Sequence, residues 1–209
     1  MGKLDEKKKQ KRETLLETAF FLFTSKGIND TSISDIVKAA NMAKGTFYLY
    51  FKDKFDIRDK LIVKMATQLF QEAAVGLQER QLQAFSGKEL KTFEDKVIFL
   101  ADSVINKLNE DKRLLRFISK NLSWGVFQNV LMTEKDEVGG FRFYDGYLSL
   151  IEDSGRKFRN PELMLYMIVE LINSTCHNVI LIQSPVTLEE LKPELYGVIC
   201  DIIHRMELA

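Results

Sequence analysis

The chain is poor in the residues that mark most specialised classes. It has two cysteines, Cys176 and Cys200, in 209 residues. Both sit in apolar stretches without CxxC spacing, which excludes a disulfide scaffold and makes a reducing compartment the simpler setting. Three prolines and eleven glycines exclude collagen-like and low-complexity chains and disfavour turn-rich all-β classes. Two histidines, with no GxSxG, HExxH or P-loop pattern, supply neither a paired acid and base nor a metal cluster. No enzyme, metal or cofactor is therefore expected. The first twelve residues hold six Lys/Arg and two acids, too charged for a secretory signal. One stretch, 163–182, is long enough to span a bilayer. Glu170, Asn173, Ser174, Thr175, His177 and Asn178 interrupt it, so a helix buried in protein is expected. These exclusions point to a cytoplasmic protein.

What remains is an ordinary soluble composition, 45% hydrophobic and 29% charged, with a formal net charge of zero. Zero hides a gradient. Residues 1–60 carry thirteen Lys/Arg against nine Asp/Glu, and the remainder seventeen against twenty-one. A front end facing a polyanion and a body with another task would produce that asymmetry. The apolar period is helical almost throughout. Leu15, Leu16, Ala19, Phe20 and Phe23 stripe a first helix over about 11–25, and Gly27 supplies its left-handed stop. Thr31 and Ser32 are candidate caps of a short second helix, and Asn41 is suited to a positive-φ break. A third helix is predicted from Ala43 to Tyr50 and a long fourth from Asp53 to about Gln81. Further helices are predicted over 89–109, 111–131, 136–153, 161–183 and 188–207. Asn160-Pro161 is a strong start signal, and Thr187 to Glu190 has capping-box spacing. The fold class is all-α.

Residues 32–50 have the form of two short helices around a tight turn, the arrangement in which a bracing helix presents a second one to the major groove of DNA. In the second, Phe47 and Phe51 share the inward face. Lys44 can neutralise a phosphate or reach guanine acceptors, and Gly45 permits close backbone approach. Thr46, Tyr48 and Tyr50 offer hydroxyls to phosphate oxygens, and Lys54 adds a cation beside the free N–H groups of the next helix. For the two tyrosines the competing explanation is half-buried packing. For the Lys7–Arg12 run it is a solvated, disordered arm, against one that adds non-specific phosphate attraction.

This segment resembles the DNA-binding domain of the TetR family of bacterial transcriptional regulators. The residues carrying the resemblance are Ala19 to Phe23, Gly27, Thr31 to Val37, Ala40 and above all Lys44 to Lys54. The family usually has Gly at Asn41 and Ser or Thr at Ala43, and often a polar residue or His at Leu49, so no DNA contact is carried onto Leu49. The resemblance implies a helix-turn-helix DNA-binding domain over 1–52, with a basic N-terminal arm, and an effector-binding and dimerisation domain over 53–209. The implied DNA contacts are Thr31, Ser32, Lys44, Gly45, Thr46, Tyr48, Tyr50 and Lys54. The implied partners are a palindromic duplex operator, a small-molecule effector and a second copy of the chain, with a nucleoid-associated location.

In the body, Phe99, Phe117, Trp124, Phe127, Tyr144, Tyr147 and Met167 are candidate lining of an effector pocket; core packing is the competing role of each. Tyr166, Glu170, Asn173 and His177 follow one helical face and are either polar anchors of that pocket or a solvent or interface strip. Leu195, Ile199, Ile202 and Met206 form an apolar stripe, widened by Val198 and Ile203, broad enough to serve the subunit core and a dimer interface together. The expected function is a dimeric repressor released by an effector. The alternative is a chromosome-organising or division-site factor without ligand-controlled transcription.

Overall fold

A computed structural model describes residues 3–82, 90–121 and 143–208. These residues form helices, with one isolated antiparallel bridge between Phe158 and Glu207. In chain order the helices are α1 (Lys3–Lys26), α2 (Ile33–Ala39), α3 (Lys44–Tyr48), α4 (Lys54–Leu82), α5 (Phe93–Glu110), α6 (Lys112–Asn121), α7 (Phe143–Ser154), α8 (Pro161–Ile182) and α9 (Leu188–Met206). The all-α expectation holds.

Local chemistry fixes most boundaries. Ser32, Thr92 and Thr187 each close a capping box with Asp35, Asp95 and Glu190, satisfying two otherwise orphaned N–H groups apiece. The Asn160 side chain accepts from the Leu163 N–H with Pro161 in the first turn of α8. Gly27 and Asn41 take φ of 92° and 52°, as their breaks require. Pro193 lies inside α9 and does not end it. The first helix is longer than its apolar stripe, for two reasons. Lys, Glu and Gln are good helix formers, and Asp5 and Glu6 stand at the positive helix start. Farther along, Glu13 pairs with Lys64 of α4. The basic run 7–12 is thus helical rather than a disordered arm.

Two apolar cores are built. The first unites Leu15, Leu16, Ala19 and Phe23 of α1, Ile36 and Val37 of α2, Phe47 of α3, Phe51, and Ile57, Leu61 and Ile62 of α4. Phe117 of α6 completes it, edge-on to Phe20 at 5.4 Å and stacked on Phe23 at 6.4 Å. The second core runs from Leu69 of α4 through Val97, Ile105, Leu115, Met164 and Ile168 to Ile199 and Ile203. The first core therefore reaches well past residue 52, because Ile57, Leu61 and Ile62 fall on the α4 face that α1 covers. α4 and α6 each contribute to both cores. α8 is long and apolar enough to cross a membrane by composition alone, yet here it packs against α5, α6 and α9.

The dimer stripe expected on α9 requires correction. Leu195, Ile199 and Met206 are buried in the second core and Ile202 packs against it. A 19-residue helix with one apolar stripe uses that stripe to hold its own subunit together. The outward face of α9 carries Gly197 and Val198 instead, Val198 being 45% exposed. Polar clamps fasten α9 to α5. Asp102 of α5 accepts from Lys192 Nζ at 2.6 Å and from Tyr196 Oη at 2.5 Å. Burial would raise the Asp102 carboxyl, but these two donors hold it below its usual value. Arg156 donates to both Glu207 oxygens at 2.7 Å and to Glu94 at 2.5 Å.

Ile199 is fully enclosed. Ile199→Ala should cost about 2–5 kcal/mol of subunit stability by cavity creation, read as a lowered urea midpoint with an unchanged slope.

Candidate nucleic-acid interface and apolar cavity

The α2–turn–α3 unit is held from within by short polar contacts. Asp35 Oδ2 accepts from the Ser32 N–H at 2.9 Å, the Ser32 hydroxyl at 2.8 Å and Lys26 Nζ at 2.9 Å. The Ser32 backbone donor first, then Lys26, holds the Asp35 carboxyl well below the usual carboxylate range. The turn closes when the Met42 N–H donates to the Val37 carbonyl at 2.8 Å, with Asn41 left-handed between them. α3 then starts at Ala43 with no side-chain cap.

Phe47 and Phe51 are 0% and 2% exposed and fasten α3 to the first core. That anchoring decides what α3 offers outward. Lys44, Gly45 and Tyr48 are exposed, while Thr46 and Tyr50 are half-buried, with Tyr50 against the core. Gly45 has no internal reason to be glycine. A Cβ there would meet nothing within 4 Å, and glycine in a helix costs roughly 0.5–1 kcal/mol against alanine. Its smallness leaves that surface open to a close approach from outside. Leu49, onto which no DNA contact is carried because the resembling family often has a polar residue or His there, is 79% exposed beside Tyr48. An exposed methyl-bearing side chain at this edge is suited to the thymine methyl group.

Two of the expected DNA contacts are corrected. Thr31 is 1% exposed, and its hydroxyl donates to the Gly27 carbonyl at 2.7 Å; it finishes the α1–α2 turn from inside. Lys54 turns inward as well. Its ammonium donates to the carbonyl oxygens of Ile28 and Asn29 at 3.0 Å and of Thr31 at 3.3 Å, so its three donors are committed within the protein. Ser32 stays exposed at the start of α2 while its hydroxyl is engaged with Asp35.

A cavity of about 330 Å³ lies between α4, α5, α7 and α8. Phe70, Leu100, Val104, Leu150, Ile168 and Val169 are among its apolar lining, with Gln78, Gln81, Ser149, Asp153 and Asn173 as polar groups. Of the expected pocket residues it takes Tyr147 and Asn173. The Tyr147 hydroxyl donates to the Pro161 carbonyl at 3.0 Å, and burial raises its pKa. The others are corrected. Phe117 belongs to the first core, and Phe99 lies against the Gly76 face of α4. Tyr144 packs beside Tyr147 with ring centroids 6.1 Å apart. Met167, Glu170 and His177 sit on other faces of α8, outside the cavity lining. Trp124 and Phe127 lie outside the described residues. Much of the missed lining is aliphatic, and in sequence an aliphatic residue facing a cavity is indistinguishable from one facing a core.

A short helix anchored by two aromatics, exposing a lysine, a glycine and a tyrosine beyond a tight turn, defines a helix-turn-helix DNA-binding module. Comparison with known proteins agrees. Residues 15–61 match the family described as bacterial regulatory proteins, tetR family. The chain is similar to the HTH-type transcriptional regulator AcrR of Shigella flexneri, 30% identical over 114 residues. That alignment covers 54% of this chain and 49% of AcrR, so the chain matches about half the length of that relative. The fold agrees over nearly the whole chain with a tetR family regulator from Shewanella at TM-score 0.64 and 15% identity, covering 95% of this chain and 99% of that one. It agrees also with the regulator FadR of Bacillus subtilis, solved in complex with stearoyl-CoA, at TM-score 0.55 and 18% identity, covering 90% and 96%. Residues 15–61 are thus a DNA-binding domain of the TetR type, and the chain as a whole shares the fold of solved regulators of that family.

Gly45→Ala should leave the fold intact or stabilise it by about 0.5–1 kcal/mol while weakening duplex binding. Thermal melts and gel-shift titrations of the same preparation separate the two effects. A second test concerns pH. The Asp35 pKa is depressed in the fold, so its contribution is complete above its ordinary value of 3.8 and is lost as pH falls below it. The melting temperature of Asp35→Asn should lie a constant interval below wild type from pH 5 to 8, and that interval should shrink below about pH 4.

Proposed function

We propose that the chain is a dimeric transcriptional repressor that leaves a palindromic operator when a small, largely apolar molecule occupies the cavity between α4, α5, α7 and α8. The observation that carries this reading is the continuity of α4. Lys54 at its start ties the turn before α2, and Ala66, Leu69, Phe70 and Leu77 farther along line the cavity. A ligand that prefers one tilt of α4 thereby prefers one placement of α3, and differential affinity between the two placements is the switch. The head, from α1 through the first turns of α4, reads DNA with Lys44, Gly45, Thr46 and Tyr48, assisted by Ser32 and Tyr50. The body binds the effector and pairs with a second copy.

The cavity favours an effector with an apolar portion and one hydrogen-bonding group directed to Asn173 or Gln78. The stearoyl-CoA held by FadR includes an apolar acyl chain of that general kind, joined to a large charged head. Pairing uses outward faces: Leu163 and Ile182 on α8, with Val198 on α9. Gly197 is exposed with nothing within 4 Å of a Cβ, which lets two helices approach closely. Such pairing would set two α3 helices about one DNA turn, ~34 Å, apart.

The experiment is selection of a duplex from a random pool by the wild-type protein, followed by gel shifts of Lys44→Ala/Tyr48→Ala. The selected site should be an inverted repeat with half-sites about one turn apart. The double variant should lose at least about a hundredfold in affinity with an unchanged melt, since both side chains are exposed. Affinity within about threefold of wild type, or a selected pool without symmetry, would refute the reading.

A further inference from the structure

A second concavity lies where the head meets the body. The turn from Gly27 to Asp30 and the start of α4 form one wall, α6 forms the other, and the groove holds about 530 Å³. α6 places Lys112, Arg113, Arg116 and Lys120 at i, i+1, i+4 and i+8. The last three line the groove with Arg58 of α4, and Asp30 is the one acid among the described lining residues. Like charges this close along a short helix destabilise it, so some return is expected from the arrangement.

The four cations are not equally engaged. Arg58 meets Asp59 Oδ1 at 2.6 Å and lies 5.1 Å over the Phe55 ring. Arg113 has a 3.8 Å contact with Asp111 and a side chain 70% exposed. Arg116 and Lys120 are exposed and meet no carboxylate among the described residues. Beneath them Phe23 and Phe117 are buried, while Phe55 is 45% exposed at the groove. A concave site in which Arg116 and Lys120 meet no carboxylate among the described residues, beside a partly exposed aromatic ring, combines bidentate phosphate recognition with a platform for a planar group.

We propose that this groove is a binding site for a small organic phosphate, its phosphate held by Arg113, Arg116 and Lys120 and its planar portion laid against Phe55. Asp30 faces the same space and accepts from a hydroxyl or amino group of the ligand. The site is distinct from the apolar cavity and takes opposite chemistry. It also bridges two bodies, because the Gly27–Asp30 turn is the one that Lys54 ties to α4. Occupancy and operator affinity are then coupled, each changing the other by the same factor.

The test is titration calorimetry on the full chain at low ionic strength, without DNA, using adenosine 5′-monophosphate, pyrophosphate and adenosine as probes. The two phosphates should bind and adenosine should not, with the monophosphate tighter than its charge alone predicts from pyrophosphate. Arg116→Gln/Lys120→Gln should weaken both phosphates at least about tenfold with an unchanged melt. Arg113→Gln, at a more exposed position, repeats the measurement if the double variant folds poorly. Absence of phosphate binding to wild type, or equal binding to wild type and variants, overturns the proposal. A third result also overturns it: the variants weaken duplex binding while neither phosphate binds, which would assign the groove to the DNA backbone. Since the phosphate titrations contain no DNA, their failure leaves the operator reading standing.

Discussion

Where α1 has ended and α2 has not begun, the chain turns the carbonyl oxygens of Ile28, Asn29 and Thr31 toward one point, and the ammonium of Lys54 occupies it. An ammonium has three donors and no acceptor, and three carbonyl oxygens satisfy it. The contact joins residues 23 to 26 positions apart. It fixes the entrance of the helix-turn-helix to the first turn of the longest helix in the described structure. Thr31 works beside it, its hydroxyl on the Gly27 carbonyl, and Asp35 gathers Lys26 and the Ser32 cap from the other side. The orientation of α3 thus rests on a small polar knot, while the apolar core under Phe47 supplies the cohesion.

That knot matters because the two cores share elements. α4 gives Ile57, Leu61 and Ile62 to the head and Leu69, Ala73 and Leu77 to the body. α6 gives Phe117 to one core and Leu115 and Ile118 to the other. Packed interiors shift between discrete arrangements rather than deform smoothly. In the proposed switch, a displacement of α4 at the cavity would therefore reach the head as a rigid tilt. To move such an equilibrium from 1:99 to 99:1 an effector needs about 5.5 kcal/mol of differential affinity. Burying about 200 Å² of apolar ligand surface is worth roughly 5 kcal/mol at 25 cal/mol per Å². Only the part of that burial that differs between the two states counts, so tight binding alone would not make a good inducer.

Much of this was visible in the sequence, and the failures have a common cause. Helical period, the Asn160-Pro161 start, the Thr187 box and the breaks at Gly27 and Asn41 are local signals, and each appears where expected. The outward placement of Lys44, Gly45 and Tyr48 was legible because Phe47 and Phe51 fix the inward face and leave the rest outside. Thr31 and Lys54 were misjudged because residue type reports the ability to touch phosphate, while the contact actually made depends on carbonyls 23 to 26 residues away for Lys54. The stripe Leu195, Ile199, Ile202 and Met206 was misjudged for a related reason. A sequence shows that a face is apolar; whether the subunit or its partner covers that face depends on tertiary placement.

The polar line along α8 carries this one step further. Tyr166, Glu170, Asn173 and His177 share one face by spacing, yet α8 runs past several different neighbours along its 22 residues. Asn173 faces the cavity. Glu170 is half-buried, and burial raises its pKa. His177 keeps Nε2 out of solvent without a partner among the described residues and has Nδ1 3.2 Å from Asn178 Oδ1. Beside them Leu163 and Ile182 are 42% and 66% exposed at the two ends of the helix. Half-buried polar groups set among exposed aliphatic ones are poor company for water and a poor core, but they suit an interface, where an apolar centre supplies affinity and polar groups fix register. On that argument the pairing proposed above would follow the outer side of α8, with α9 joining through Gly197 and Val198, and the expected α9 stripe is left to the interior it already fills.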